Sequence, residues 1–181
     1  MTLTTLDPRT ALVIIDLQAG IAGSPQAAPV VARAVELADA FRAHDLPVVL
    51  VNVVSGAPGR TERPRPAAAR PEGWAELLPE LGEGIRVTKK TWGAFHGTDL
   101  DERLREQGVT QVVLSGIATS KGVESTARSA HEHGYNVTVA VDAVADTDPD
   151  SHRNAVERIF PALGETGTTA QIIDLLEATQ R

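Results

Sequence analysis

The stretch Ala11-Leu-Val-Ile-Ile-Asp16 is a short, continuous apolar run that ends in a carboxylate. Such runs, without polar alternation, are typical of strands buried on both faces of a parallel sheet. Leu46-Pro-Val-Val-Leu-Val-Asn-Val-Val54 repeats the pattern. Between the two runs, apolar side chains recur at helical spacing, namely Val30, Ala34, Leu37, Ala38 and Phe41. The first third of the chain therefore predicts a β-α-β unit with a right-handed crossover.

The alternation of strands and helices continues along the rest of the chain. Four more strands are predicted, over 84–88, 111–115, 136–141 and 163–167. Helices are predicted over 99–107 and 121–133, after Asp148-Pro149, and around Ile172, Ile173, Leu175 and Leu176, with Gly108 and Gly134 at the expected helix C-caps. The fold class is thus α/β: a three-layer α/β/α sandwich with a six-stranded, mostly parallel, doubly wound (Rossmann-like) sheet. The length of 181 residues predicts a single domain over 1–181.

The amino-acid composition limits which binding partners and which cellular location we expect. With 17 basic and 24 acidic side chains the net charge is -7, which opposes non-specific attraction to nucleic acid or an anionic membrane. No apolar stretch approaches the roughly 20 residues that span a bilayer, and residues 1–10 lack the features of a signal peptide. We therefore expect a cytoplasmic protein with a small-molecule substrate and with neither nucleic acid nor membrane as a partner.

The chain contains no cysteine. Disulfides, thiolate metal sites and a cysteine nucleophile are therefore excluded. No glycine-rich nucleotide motif follows the first strand, so no cofactor is expected.

Residues 55–71 interrupt the pattern with four prolines, two glycines and the arginines Arg60, Arg63, Arg65 and Arg70. A loop of this length in a compact domain is more often a lid or binding loop than a linker. One of the arginines could bind a substrate carboxylate, although simple solvation is the stronger interpretation for any single one of them.

Polar residues follow the strands at the sheet edge where ligands bind in doubly wound folds. Asp16-Leu-Gln18 follows the first strand, Lys89-Lys90-Thr-Trp92 the third, and Gly116-Ile-Ala-Thr-Ser-Lys-Gly122 leads from the fourth into a helix. An acid, a base and a helix start that favours anions thus converge on one edge. Asp16 and Lys89 are either a general acid or base with its electrostatic partner, or a structural ion pair.

Several motifs in order resemble the isochorismatase-like hydrolases, a match that runs from Leu12 to Leu176. They are Asp16-x-Gln18, Lys89-x5-Phe95-x2-Thr98-x-Leu100, Gly116-Ile-Ala-Thr119, Val123-Glu-Ser-Thr-Ala127 and Gly134-Tyr135 leading to Asp142-Ala143. The resemblance implies a catalytic aspartate at Asp16 and lysine at Lys89, with Lys90 as the alternative, and places the column of the nucleophilic cysteine on Gly122. It also implies substrate contacts from Gln18, Trp92, Phe95, Ala118 and Thr119, with core packing as the alternative for Phe95.

Glycine at 122 closes the covalent thioester route. Some isochorismatase-type members carry glycine in this column and cleave a vinyl ether, with the aspartate as the acid. The resemblance therefore implies a cysteine-independent hydrolase, in which desolvation raises the pKa of Asp16. It further implies a non-proline cis peptide at Ile117-Ala118, backbone N–H groups at the helix start that stabilise an oxyanion, and a homo-oligomer, dimer or tetramer. The alternative is a catalytically idle relative that serves as a binding or scaffold protein.

Other candidate sites have simpler explanations. Nicotinamidases resemble this chain but hold a metal through histidines after the second strand, where 54–58 contains none, so no metal is expected. His131-x-His133 has a spacing that suits the helix C-terminus better than a ligand pair. Asp146-x-Asp148-x-Asp150 is typical of a helix N-cap rather than a calcium loop, and Ser120 is expected to cap a helix rather than act as a nucleophile.

Overall fold

Six strands form a single sheet in the computed structural model, which describes residues 3–62 and 70–179. The strands are β1 Thr10–Ile15, β2 Val48–Val53, β3 Ile85–Lys89, β4 Gln111–Ile117, β5 Asn136–Ala145 and β6 Glu165–Gly167. Their order is β3-β2-β1-β4-β5-β6, and every neighbouring pair is parallel. The predicted fold class is confirmed, with a sheet that is parallel throughout. Strand order reverses between β1 and β4, so a crevice opens beyond the ends of these two strands.

Helices connect the strands as the periodicity predicts. They are α1 Ala19–Ala22, α2 Ala28–Ala43, α3 Leu100–Glu106, α4 Glu124–Glu132, α5 Pro149–Asn154, α6 Phe160–Leu163 and α7 Thr169–Thr179. Single 3-10 turns cover Pro25–Ala27 and Pro79–Leu81, and π-helical turns cover Thr119–Val123 and Ala155–Ile159. The predicted helix over 121–133 therefore begins as a π-helical turn and continues as α4.

Helix ends match their sequence signals. Asp148 is the N-cap of α5, and its carboxylate accepts the Asp150 N–H. Gly108 and Gly134 follow α3 and α4 with φ of 68° and 86°, the left-handed conformation that a glycine C-cap adopts without a steric penalty.

The sheet has an apolar layer on each face because successive strand side chains point to opposite sides. Val13 and Ile15 of β1 lie in the cluster that contains Ala127 of α4. Leu12 and Ile14 lie in the cluster that contains Leu37 of α2. We refer to these two sides as the α4 face and the α2 face of the sheet. Burial on both sides explains why β1 reads as an uninterrupted apolar run.

The arginine-rich segment leaves the sheet after β2, and residues 54–62 are exposed. Arg60 lies in this exposed part, whereas Arg63 and Arg65 lie outside the described residues. Within the described part of the chain, no helix has both the length and the apolar character required to cross a membrane.

Candidate active site

Asp16 and Lys89 form a buried ion pair at the carboxyl edge of the sheet. The Lys89 Nζ lies 2.7 Å from Asp16 Oδ2 and also donates to the Thr91 carbonyl at 3.2 Å. Asp16 is 5% exposed and Lys89 is 1% exposed. Lys90 is exposed. Of the two candidate lysines, Lys89 is therefore the one that the fold brings to Asp16.

The backbone of Asp16 has a φ of 56°, in the left-handed region. Few residues other than glycine adopt this region, although aspartate is among the more tolerant. Continued strand alternation would direct Asp16 to the α2 face, opposite Ile15. Its carboxylate instead lies beside Gly122, where a Cβ would be 3.2 Å from Asp16 Oδ2 and 2.9 Å from Ile15 Cγ2. The structure thus brings Asp16, Lys89 and Gly122 together on the α4 face.

Burial and neighbouring positive charges shift the pKa of Asp16 in opposite directions. Desolvation raises the pKa of Asp16 from 3.8 to about 6, although Lys89, and to a lesser degree Arg70, lower it. Burial likewise lowers the pKa of Lys89, against the opposing effect of Asp16. Asp16 Oδ1 is buried and has no hydrogen-bond partner among the described residues. Asp16 can therefore hold or release a proton near neutral pH on an oxygen that no described group engages.

The turn after β4 contains the cis peptide at Ile117-Ala118, as expected. The Ser120 N–H and hydroxyl both donate to Asp146 Oδ2, at 2.8 Å and 2.7 Å. Partial burial opposes ionisation of Asp146, but these hydrogen bonds hold its pKa below the ordinary value. The prediction that Ser120 caps the helix is wrong: Ala118 is at the N-cap position, and Asp146 is the residue that accepts the Ser120 N–H. The expectation of an oxyanion site at this helix start is wrong for the Ser120 N–H, because a carboxylate already accepts it.

Ala118 and Thr119 belong to the same turn and precede Gly122 by four and three positions in the sequence. Thr119 is fully buried, and its hydroxyl lies 2.9 Å from His152 Nδ1 of α5. Ala118 is half-buried. The contacts of His152 and Asp146 with this turn could not be predicted from local sequence patterns, because both span more than 25 positions and depend on the folded sheet.

Gln18, two residues after Asp16, joins the backbone at Val53 to the backbone at Trp74. It is fully buried, its amide N–H groups donate to the Val53 and Trp74 carbonyls, and its amide oxygen accepts the Val53 N–H. Both donors are therefore already used by the backbone. This geometry supports a structural role for Gln18 rather than the direct substrate contact that the resemblance implies.

The two aromatic residues after β3 differ in their surroundings. Trp92 is 60% exposed and belongs to neither core cluster, and the substrate contact that the resemblance implies for it stays a prediction. Phe95 is 8% exposed and packs in the core, with its ring centroid 5.1 Å from that of His133 and 5.8 Å from that of Tyr135. For Phe95 the core-packing alternative therefore describes the structure. His131, the other histidine at this helix end, contacts the Leu163 carbonyl at 3.0 Å.

An aromatic residue that the sequence analysis did not single out lies near the site instead. Trp74 carries the Arg70 guanidinium 3.8 Å above its ring centroid. Arg70 is close enough to lower the pKa of Asp16. The segment 71–77 has no regular periodicity, so nothing local predicted that it folds against β2 and β3.

Known proteins resemble this chain in both sequence and fold. The model of the isochorismatase domain matches residues 10–171. The chain belongs to the isochorismatase family. It is 43% identical to an uncharacterized isochorismatase family protein of Bacillus subtilis over 92% of this chain and 93% of that protein. The structure of an isochorismatase family protein from Burkholderia thailandensis superposes with a TM-score of 0.91 at 44% identity, covering 96% of this chain and 98% of the other.

A more distant member of the isochorismatase family carries a named activity. The ureidoacrylate amidohydrolase RutB of Methylobacterium radiotolerans is 31% identical to this chain, over 97% of this chain and 83% of that protein. The protein is thus an isochorismatase-family hydrolase by membership, with glycine at the position that the resemblance assigns to the nucleophile.

Proposed function

We propose that this protein hydrolyses a vinyl ether in a small, carboxylated molecule, with Asp16 as the proton donor and without a covalent intermediate. The observation that carries the proposal is the state of Asp16. Its pKa is raised to about 6, its Oδ2 is paired with Lys89, and its Oδ1 has no partner among the described residues. A general acid needs a pKa near the working pH and a free proton-bearing oxygen.

The proposed reaction begins with transfer of the Asp16 proton to the terminal carbon of the enol ether. This step forms a C–H bond and leaves an oxocarbenium ion and an Asp16 carboxylate. Water adds to the cation, and the resulting hemiketal collapses to a ketone and an alcohol while a proton returns to Asp16. The Lys89 ammonium, 2.7 Å from Oδ2, stabilises the carboxylate formed in the first step.

The surroundings of Asp16 support this chemistry more than amide hydrolysis. RutB is named an amidohydrolase, and amide cleavage through an acyl-enzyme needs a nucleophile. Gly122 supplies none at the position beside Asp16, and the nearby Ser120 hydroxyl donates to Asp146. We therefore expect no amidase activity by a covalent route.

The test compares hydrolysis of isochorismate, a simple alkyl vinyl ether and ureidoacrylate by the wild type, Asp16→Asn and Gly122→Cys. Asp150→Asn is the matched control, because the Asp150 side chain is 82% exposed and pairs with Arg153 on the surface of α5. We expect vinyl ether cleavage by the wild type and by Asp150→Asn, and a loss of about 100-fold or more in Asp16→Asn. Equal rates in Asp16→Asn and the wild type would refute acid catalysis by this residue.

The second candidate is a catalytically idle binding or scaffold protein, which is favoured by the low exposure of Asp16 and Lys89. It predicts no turnover of any substrate by the wild type, with amidase activity only in Gly122→Cys. The single domain over 1–181, the cytoplasmic location and the homo-oligomeric state, dimer or tetramer, stay predictions.

A further inference from the structure

A cavity lies on the α2 face of the sheet, the face opposite to that of the Asp16–Lys89 pair. Its volume is about 430 Å³, within the range that suits a small ligand. Arg86 and Thr88 of β3 line one wall, and the segment around Trp74 lines the other. Lys89 is directed to the opposite face, because adjacent residues of a strand alternate. The cavity and the Asp16–Lys89 pair therefore lie on opposite faces of the sheet, and Arg70, which lines the cavity, is still close enough to Asp16 to lower its pKa.

Two arginines line this cavity. Arg86 projects from a strand, and Arg70 lies at the other wall. Among the described residues, neither guanidinium has a carboxylate within ion-pair distance. Glu76 also lines the cavity and offsets one of the two positive charges, so the cavity keeps a net positive charge.

The wall that carries Arg70 is held in place by several contacts. The Trp74 carbonyl accepts hydrogen bonds from the Gly20 N–H at 2.9 Å and from the Gln18 amide at 3.1 Å. A Cβ at Gly20 would lie 2.0 Å from the indole, so only glycine lets Trp74 pack this closely. Arg70 stacks on this fixed ring. The ring on which the guanidinium stacks is therefore held in place by its own backbone and packing contacts.

Polar groups between the arginines are partly engaged and keep further capacity. The Thr88 hydroxyl donates to Asn52 Oδ1 at 2.7 Å, and the Asn52 amide donates to the Ala75 carbonyl at 2.8 Å. These two bonds leave the Thr88 oxygen as an acceptor and one Asn52 N–H as a donor. An occupant would thus meet two guanidinium groups and an amide donor.

We propose that this cavity is a separate binding site for a small oxyanion, a dicarboxylate or a phosphate, held by Arg86 and Arg70. Guanidinium groups bind carboxylate and phosphate through paired, charge-assisted hydrogen bonds, which matches the composition of the walls. The proposal does not depend on turnover at Asp16.

Binding can be followed through Trp74, since the chain has only two tryptophans and Trp92 is exposed. In a Trp92→Phe background, succinate and inorganic phosphate are titrated against sodium chloride of matched ionic strength, with tryptophan fluorescence as the readout. We expect a saturable change with at least one of the two anions. Which anion binds decides between dicarboxylate and phosphate.

Arg86→Gln and Arg70→Gln are each expected to raise the Kd by about tenfold or more. Arg153→Gln, which removes an exposed arginine of α5, is the matched control and should leave the Kd within about twofold. Thermal unfolding verifies that the variants are folded. The proposal is overturned if neither anion gives a saturable change, or if the Arg86→Gln and Arg153→Gln proteins bind equally well.

Discussion

Replacing Lys89 with methionine should raise the pKa of Asp16 and move the pH dependence of catalysis with it. Methionine keeps a similar length but removes the charge and the 2.7 Å hydrogen bond. Burial would continue to raise the Asp16 pKa, while its main lowering influence would be gone. An adjacent opposite charge typically lowers a carboxyl pKa by roughly 1 to 3 pH units. Starting from about 6, the pKa of Asp16 should rise to roughly 7 to 9 in the variant.

The assay is kcat/KM for vinyl ether hydrolysis between pH 5 and pH 10. If Asp16 is the acid, the wild-type rate is constant below about pH 6 and falls about tenfold per pH unit above it. In Lys89→Met the plateau should be lower, because the carboxylate formed in the transition state has lost its cation, but it should extend to higher pH. Lys90→Met is the control, since Lys90 is exposed and its loss should leave the profile unchanged.

The direction of the profile also separates an acid from a base. If Asp16 acted as a base, the wild-type rate would rise with pH through about 6, and Lys89→Met would delay that rise. If the descending part of the pH-rate profile stays at its wild-type pH in Lys89→Met, another group controls the rate. This result would refute the assignment of Asp16 as the proton donor.

Three further predictions concern stability. The folded-state pKa of Asp16, about 6, exceeds the value of 3.8 expected in the unfolded chain, so the stability that this group contributes is lost as the pH rises between these values. Relative to Asp16→Asn, the free energy of unfolding of the wild type in urea should fall by about 3 kcal/mol between pH 3.5 and pH 6.5. The same pH dependence of this free energy in both proteins would contradict the prediction. Gln18→Leu removes the amide that pairs with the Val53 N–H and with the Val53 and Trp74 carbonyls, and should lower the free energy of unfolding by about 2 kcal/mol or more. A change below about 0.5 kcal/mol would show that these bonds do not form. Asp148→Ala removes the α5 cap and should cost about 1 kcal/mol in the same measurement, whereas Asp150→Asn, on the same helix, should cost less.

The strands were predictable because burial on both faces of a parallel sheet leaves a continuous apolar run in the sequence. The end of β5, in contrast, could not be predicted from the apolar pattern. The apolar pattern predicts a strand over 136–141, but β5 extends to Ala145. A register shift between Leu114 and Gly116 lets β4 pair with this extension. Asp142 can lie in the strand because its carboxylate accepts the Thr169 N–H and hydroxyl at the start of α7. A polar residue inside a strand is therefore explained by a partner 27 positions away, which periodicity does not reveal.

The site was predictable to the extent that strand ends determine it. Asp16 and Lys89 end two strands of one parallel sheet, so the topology alone brings them to the same edge. Trp92 illustrates the opposite case. Its position three residues after Lys89 does not show whether the ring is buried or exposed, and in the structure it is exposed. Trp74 lies near the site through its contacts with Gly20 and Gln18, and no local pattern marks those contacts.

The missing thiol does not by itself separate an active hydrolase from an idle one, because acid catalysis needs only a proton on Asp16. The ion pair is more informative. A purely structural buried pair is stable only when the remaining oxygens and protons of both groups are satisfied. Asp16 instead has Oδ1 without a partner among the described residues, and burial raises its pKa to about 6 even though Lys89 lowers it. A protein that needed Asp16 and Lys89 only for stability could replace both with apolar side chains at little loss. A buried carboxyl with a raised pKa and one unpaired oxygen is what a proton donor requires, and this favours the hydrolase over the scaffold.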